Sequence, residues 1–260
     1  MACCAGCGGA EAGDQGADPA HAVRRAADRL VREGSSQAST SMEMASGGTR
    51  VTIRGTGVYD YRKGVGKLTV RLPQDAAGAQ EHRPITELLS PGALFMKNRG
   101  AGVPADKWVR VATASLTDGN LVTGGATDPL AAAELLRGAR GVSYAGESDL
   151  AGVRTRHYTG TVDVAVAARA ASAGTRQALA AAAKGFARKP VPFDVYLDDD
   201  GLIRKIRHRF SFANAQEKKD IAVASTTLLY GFGEPAGVRL PRKKDIFAGE
   251  VAEKALPPGS

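Results

Sequence analysis

The stretch Pro192-Phe193-Asp194-Val195-Tyr196-Leu197-Asp198-Asp199-Asp200-Gly201-Leu202-Ile203-Arg204-Lys205-Ile206-Arg207-His208-Arg209-Phe210-Ser211-Phe212 decides how this chain folds. Residues 190–197 read as a strand, Asp198 to Gly201 supply a hairpin turn, and Leu202–Ala213 is the returning strand. On that strand Leu202, Ile206, His208, Phe210 and Phe212 share one face, while Arg204, Lys205, Arg207 and Arg209 are its basic residues. A second turn, Asn214 to Asp220, leads to a strand over Ile221–Tyr230. One apolar and one wet face per strand is the signature of an antiparallel sheet covered on one side.

The same period of two recurs upstream. Met42 and Met44 flank Glu43. Val51, Ile53 and Gly55 alternate with Arg50, Thr52 and Arg54, and Leu68, Val70 and Leu72 with Lys67, Thr69 and Arg71. Gly64 and Gly66 mark the turn between the last two runs. Ala93–Lys97, Trp108–Val111, Val142–Glu147 and Val153–Val162 read as further strands, Val238–Leu240 as a short final one, and Pro84–Leu89 as a short helix. Residues 73–83 and 113–127 read as polar loops.

Helices interrupt the strands in blocks. Asp18-Pro19 and Asp128-Pro129 each pair an N-cap with a first-turn proline, opening helices that Gly34 and Gly138 close. Asp163 to Ala187 reads as two helices broken near Gly174. Strands in runs rather than in strict alternation with helices predict an α+β fold with a large antiparallel sheet. The chain divides into an N-terminal segment 1–18, one domain over 19–250 and a tail over 251–260.

The helices are small-sided. Ala180 to Ala183 and Ala131 to Ala133 are uninterrupted alanine, with Leu179 and Phe186 the large apolar groups of the later region. Alanine-faced helices over a strongly curved sheet leave an apolar void, and such voids usually hold ligands. Helix propensity alone would select alanine equally well. If the void forms, alternation nominates Val51, Ile53, Leu68, Val70, Val195, Ile206, Phe210 and Leu228 as its lining, and a one-residue register slip would invert any of them.

All three cysteines, Cys3, Cys4 and Cys7, lie in the first seven residues. Ala5-Gly6-Cys7 reads as the end of a lipobox, with Cys7 the acylated residue and Gly8–Asp18 a tether to the membrane surface. Such a signal also needs a basic segment and an apolar run of about 7–15 residues before the cut. Only six residues precede Cys7, so the expectation is a coding start further upstream and an extracytoplasmic, lipid-anchored protein. The competing reading is a cytoplasmic tail, its thiols offering at most a metal site that no fourth Cys or His completes.

Composition narrows the function. The net charge is +8 with 43% hydrophobic and 5% aromatic residues. The basic charge is spread along strands, aromatic stacking residues are scarce, and no nucleic-acid-binding motif is present, so anionic lipids and polymers of an envelope are the better partners than nucleic acid. No apolar run approaches the roughly 20 residues of a membrane-spanning helix. Asp198-Asp199-Asp200 lacks the ligand spread of a calcium loop. Gly119 to Gly125 lacks the Lys of a phosphate loop, and Ser143 fails the nucleophile-elbow pattern. His157 and His208 have no nucleophile beside them in sequence, and His21 and His82 read as exposed. The expectation is a protein that is not an enzyme, needs no cofactor or metal, and is a monomer.

Several of these segments together resemble the LppX/LprAFG group of actinobacterial lipoproteins, related in fold to the LolA and LolB carriers. The resemblance is carried by Ala5-Gly6-Cys7, the strand near Thr40-Ser41-Met42-Glu43-Met44, Trp108-Val109-Arg110-Val111, the run Gly152 to Asp163, and the hairpin Pro192 to Lys205. It covers most of residues 20–250. It implies a half-barrel sheet with helices on its concave face, enclosing a cavity for acyl chains, and a role in carrying or presenting lipid. A regulatory envelope module that binds a partner protein with the same sheet is the alternative.

Overall fold

The computed structural model describes residues 18–46, 49–73, 83–100, 102–186, 190–213 and 220–248. Cys7, the tether, His82, most of the 73–83 loop, most of the Asn214–Asp220 turn and the tail lie outside these residues. Eleven strands form one open, curved antiparallel sheet: β1 (Ser35–Ser46), β2 (Thr49–Asp60), β3 (Val65–Arg71), β4 (Ile85–Ser90), β5 (Ala93–Lys97), β6 (Val109–Ala112), β7 (Ala139–Leu150), β8 (Val153–Val162), β9 (Val191–Leu197), β10 (Ile203–Ala213) and β11 (Asp220–Tyr230). Their order across the sheet is β6-β5-β4-β3-β2-β1-β11-β10-β9-β8-β7. The first and last strands of the chain's sheet-forming region thus meet in the middle, where β1 pairs β11.

Five helices lie on one face: α1 (Pro19–Arg24), α2 (Ala26–Glu33), α3 (Pro129–Leu135), α4 (Val164–Ala170) and α5 (Ala173–Gly185). Asp18 caps α1 through the Ala20 amide, and Asp128 caps α3 through those of Leu130 and Ala131. The first helical stretch is split at Arg25, and the break expected near Gly174 falls at Ala171-Ser172. All five helices share one hydrophobic cluster with the inner sheet face, from Val23, Leu30 and Leu135 to Leu68, Val195 and Phe210. The α+β architecture with one large antiparallel sheet is the one the alternation predicted, and its curvature under a helical layer is what the resemblance implied.

Three expectations are corrected. Pro84–Leu89 is not helical, for Ile85–Ser90 is β4 between β3 and β5. Its Ile85 and Leu89 face the core, while Leu88 is buried on the opposite face in a second cluster with Ala93 and Phe95. A strand buried on both sides shows no alternation. Val238–Leu240 forms no strand. It belongs to a strap over residues 231–247 that lays Val238 and Ile246 against Leu88, Phe95 and Trp108 on the outer face. A parallel bridge joins Trp108 to Ile246, and the Phe247 amide donates to the Trp108 carbonyl at 2.8 Å. Finally, the 113–127 segment is no solvated loop. Asn120, Leu121, Ala126 and Thr127 are at most 2% exposed.

Candidate functional site

The inner face of the sheet would carry an acyl-chain cavity, and seven of the eight nominated residues point there. Ile53, Leu68, Val70, Val195, Ile206 and Phe210 are 0–2% exposed, and Val51 packs against them half-buried. Leu228 does not. It is 40% exposed on the outer face, and Thr227 and Leu229 take the inner positions on β11. A slip of one residue suffices for this inversion. The seven inward residues are packed into the protein's own core.

Part of that filling comes from the 113–127 segment. The Asp118 carboxylate accepts hydrogen bonds from the amides of Asn120 (3.1 Å), Val122 (2.7 Å) and Thr123 (2.6 Å), rolling the chain into a compact turn. Arg99 clamps the turn to the sheet by donating to the carbonyls of Gly124 (3.0 Å) and Thr123 (3.3 Å). Thr127 donates to the Leu121 carbonyl at 2.8 Å and meets Ser225 of β11 at 2.5 Å. Polar residues therefore line the middle of the inner face: Thr40, Ser225, Thr227 and His208 are all nearly inaccessible. Asp118-Gly119 was the available signal, since an Asp side chain readily bonds the backbone amide two residues on and Gly supplies the positive φ of such a turn.

Among the described residues, hollows beside this core include the following two. The first lies at the sheet end where the β2–β3 and β4–β5 hairpins turn. It has a volume of about 270 Å³ and is walled by Val31, Tyr59, Tyr61, Pro91, Leu130, Ala131, Thr175 and Ala178, with Arg62 and Lys63 at its rim. Its polar floor is fixed. The Tyr59 hydroxyl donates to Asp128 Oδ2 at 3.2 Å, while Oδ1 holds the α3 amides of Leu130 (2.8 Å) and Ala131 (3.1 Å). Tyr61 shares a 2.7 Å hydrogen bond with Ser36. Burial raises the Asp128 pKa to about 6 against the helix-capping bonds, and it also drives the Tyr59 phenol well above its ordinary range.

The second hollow is a groove of about 470 Å³ between α4 and α5. Ala165, Ala168, Ala180 and Ala183 form its floor, and Arg169, Arg176 and Lys184 its rim. The alanine run Ala180–Ala183 identified from sequence does create space, but between α4 and α5 rather than over the sheet, while Ala131 of the earlier run walls the first hollow.

Three histidines, His21, His157 and His208, lie among the described residues. His208 is 1% exposed beside Phe210, its Nε2 without a partner among the described residues, and burial lowers its pKa to about 3. His157 on the outer face stacks on Tyr196 with centroids 4.2 Å apart and meets Asp194 at 3.1 Å. His21 is exposed. Among the described residues no three His, Cys, Asp or Glu side chains gather where they could share a metal ion, and no helix is long and apolar enough to cross a membrane.

No protein-family model matches the chain, and no curated protein sequence does. Its structure is similar to several solved ones. The Mycobacterium tuberculosis lipoprotein LppX is 11% identical, with 85% of this chain and 98% of that chain covered at a TM-score of 0.49. LprF from Mycobacterium bovis is 12% identical, with 86% and 96% covered at a TM-score of 0.43. The MucA/MucB complex of Pseudomonas aeruginosa matches at 16% identity, 94% and 68% coverage and a TM-score of 0.36. The first two carry the names of the group whose motifs the sequence resembles.

Proposed function

We propose that this chain is an extracytoplasmic lipoprotein, anchored through Cys7, that binds the alkyl chain of an amphiphile for carriage or presentation at the membrane surface. One observation carries the reading: the hollow of about 270 Å³ at the hairpin ends, whose walls Tyr59, Leu130 and Ala131 belong to the hydrophobic core. That volume falls just below the roughly 300–1,000 Å³ of ligand pockets, which favours a single chain over a multi-chain lipid. Burial contributes about 0.8 kcal/mol per methylene, so micromolar affinity needs about ten of them. Lys63, exposed at the rim, suits an anionic headgroup.

A second reading, a module that binds a partner protein, draws on the filled inner face and on β7. That edge strand is 12 residues long, has β8 as its one neighbour, and exposes Tyr144. Native mass spectrometry of the purified protein, with displacement of a fluorescent fatty acid, separates the two. Lipid adducts and saturable displacement support the carrier. Their absence, with no difference between wild type and an Ala178→Trp variant that plugs the hollow, removes it in favour of the partner-binding module.

A further inference from the structure

The outer face of the sheet is strongly asymmetric in charge. From β2 to β6 its outward positions hold Arg50, Arg54, Lys67, Arg71, Lys97 and Arg110. The one acid in outward register there, Asp60, sits at the end of β2 and pairs with Lys63 at 3.4 Å. Glu87 of β4 points into the core. By contrast, the basic strand β10 is largely neutralised. Arg204 meets Asp198 at 2.6 Å, Arg209 binds Asp194, and Arg207 lies 3.8 Å from Glu43.

The cross-strand register makes the asymmetry costly. Arg54 and Arg71 are directly opposite each other, both exposed, and among the described residues neither meets a carboxylate. Like charges in that position oppose strand pairing. The strap adds Arg239, Lys243 and Lys244, all exposed, on the same side of the sheet. Its Asp245 is engaged by Arg242 at 3.1 Å.

Charge alone fits any polyanion, but the same face also carries apolar groups. Among the described residues four large apolar side chains stand exposed, and three of them are here: Leu228 and Tyr230 at alternate positions of β11, and Leu240 on the strap, each 40–43% exposed. A soluble polyanion has no use for exposed leucines. The headgroup layer of a bilayer accepts both kinds of side chain, phosphates meeting the cations and the acyl boundary taking the leucines and the tyrosine ring.

We propose that the outer face of the sheet, with the strap laid across it, docks on an anionic lipid bilayer. This contact is separate from the hairpin-end hollow and orients the helical layer, with both hollows, away from the lipid surface.

The test uses the full chain carrying Cys7→Ala, so that acylation cannot supply the binding, in flotation with vesicles of mixed phosphatidylglycerol and phosphatidylcholine. The expected result is co-flotation that fades with added salt and is absent on phosphatidylcholine alone. The pair Arg54→Glu/Arg71→Glu lowers partitioning about tenfold or more. The pair Leu228→Ser/Leu240→Ser lowers it as well, and thermal melts confirm that both variants fold. No flotation on the anionic vesicles, or partitioning unchanged by the charge reversal, overturns the proposal. Binding to long-chain polyphosphate with no response to the leucine variants overturns it in favour of a polymer site. Flotation needs no ligand in the hollow, so its failure leaves the uptake measurement standing.

Discussion

Glu87 is the sharpest point at which burial and charge collide. Strand pairing sets it between Leu68 and Met96, it is 0% exposed, and among the described residues neither carboxyl oxygen has a hydrogen-bond partner. Burial pushes its pKa from 4.5 up to about 8, against the pull of the Arg99 charge. The folded chain therefore holds a proton that the unfolded chain releases between pH 4.5 and 8, and stability falls as pH rises through that window. Two other groups act at lower pH. His208, depressed from 6.5 to about 3, makes stability rise with pH between those values. Asp128, raised from 3.8 to about 6, makes it fall there. From pH 6.5 to 8 only Glu87 of the three still changes, at about 1.4 kcal/mol per pH unit, or about 2 kcal/mol across the interval. Urea denaturation of wild type at these two pH values measures the loss directly. Glu87→Gln keeps the shape, cannot ionise, and is expected to flatten the profile. Parallel wild-type and Glu87→Gln profiles over pH 6.5–8 would refute the assignment of that proton to this side chain.

Three further outcomes are expected. Ala178→Trp, placed in the hairpin-end hollow, abolishes displacement of a fluorescent fatty acid with little change in melting temperature, and undiminished displacement moves the site elsewhere. Glu134 is 0% exposed and accepts from Arg137 Nε (2.9 Å) and the Ser172 amide (2.9 Å), so Glu134→Ala leaves that amide unpaired and Arg137 with Asp28 (2.7 Å) as its remaining carboxylate, and costs about 2–3 kcal/mol in denaturant titrations. A loss below about 1 kcal/mol would contradict it. Gly119 has φ +60°, and a Cβ there would stand 2.0 Å from the Ala178 carbonyl oxygen. Gly119→Ala is therefore expected to cost at least about 2 kcal/mol, and a near-neutral melt would show that the turn is not held against α5.

Particular residues show what was legible in advance. The hairpin around Asp198-Asp199-Asp200-Gly201 was readable because turn chemistry and alternation agree: Asp198 bonds the Asp200 and Leu202 amides, as an acidic turn residue should. Asp18 and Asp128 announced their helices by capping chemistry that acts over three residues. Three failures share a different cause. Leu88 is buried by a strap that arrives about 150 residues later, so Ile85–Leu89 shows no strand period. On β11 the inner positions include Ser225 and Thr227, the first bonded to Thr127 of a distant turn, so polarity pointed the wrong way for Leu228. The filling of the inner face by the 113–127 segment depends on Arg99 and Ser225, neither of which is near it in sequence.

The strap has a practical consequence. Trp108 is the chain's single tryptophan, and its backbone is held by Asp245 and Phe247 while Lys97 sits 5.6 Å above its ring. Intrinsic emission excited at the indole band is thus a one-site optical reporter of whether the C-terminal run is seated. Shortening the chain to Tyr230 would bare Leu88, Phe95 and the β6 margin together, giving the molecule an adhesive rim through which copies can join edge to edge.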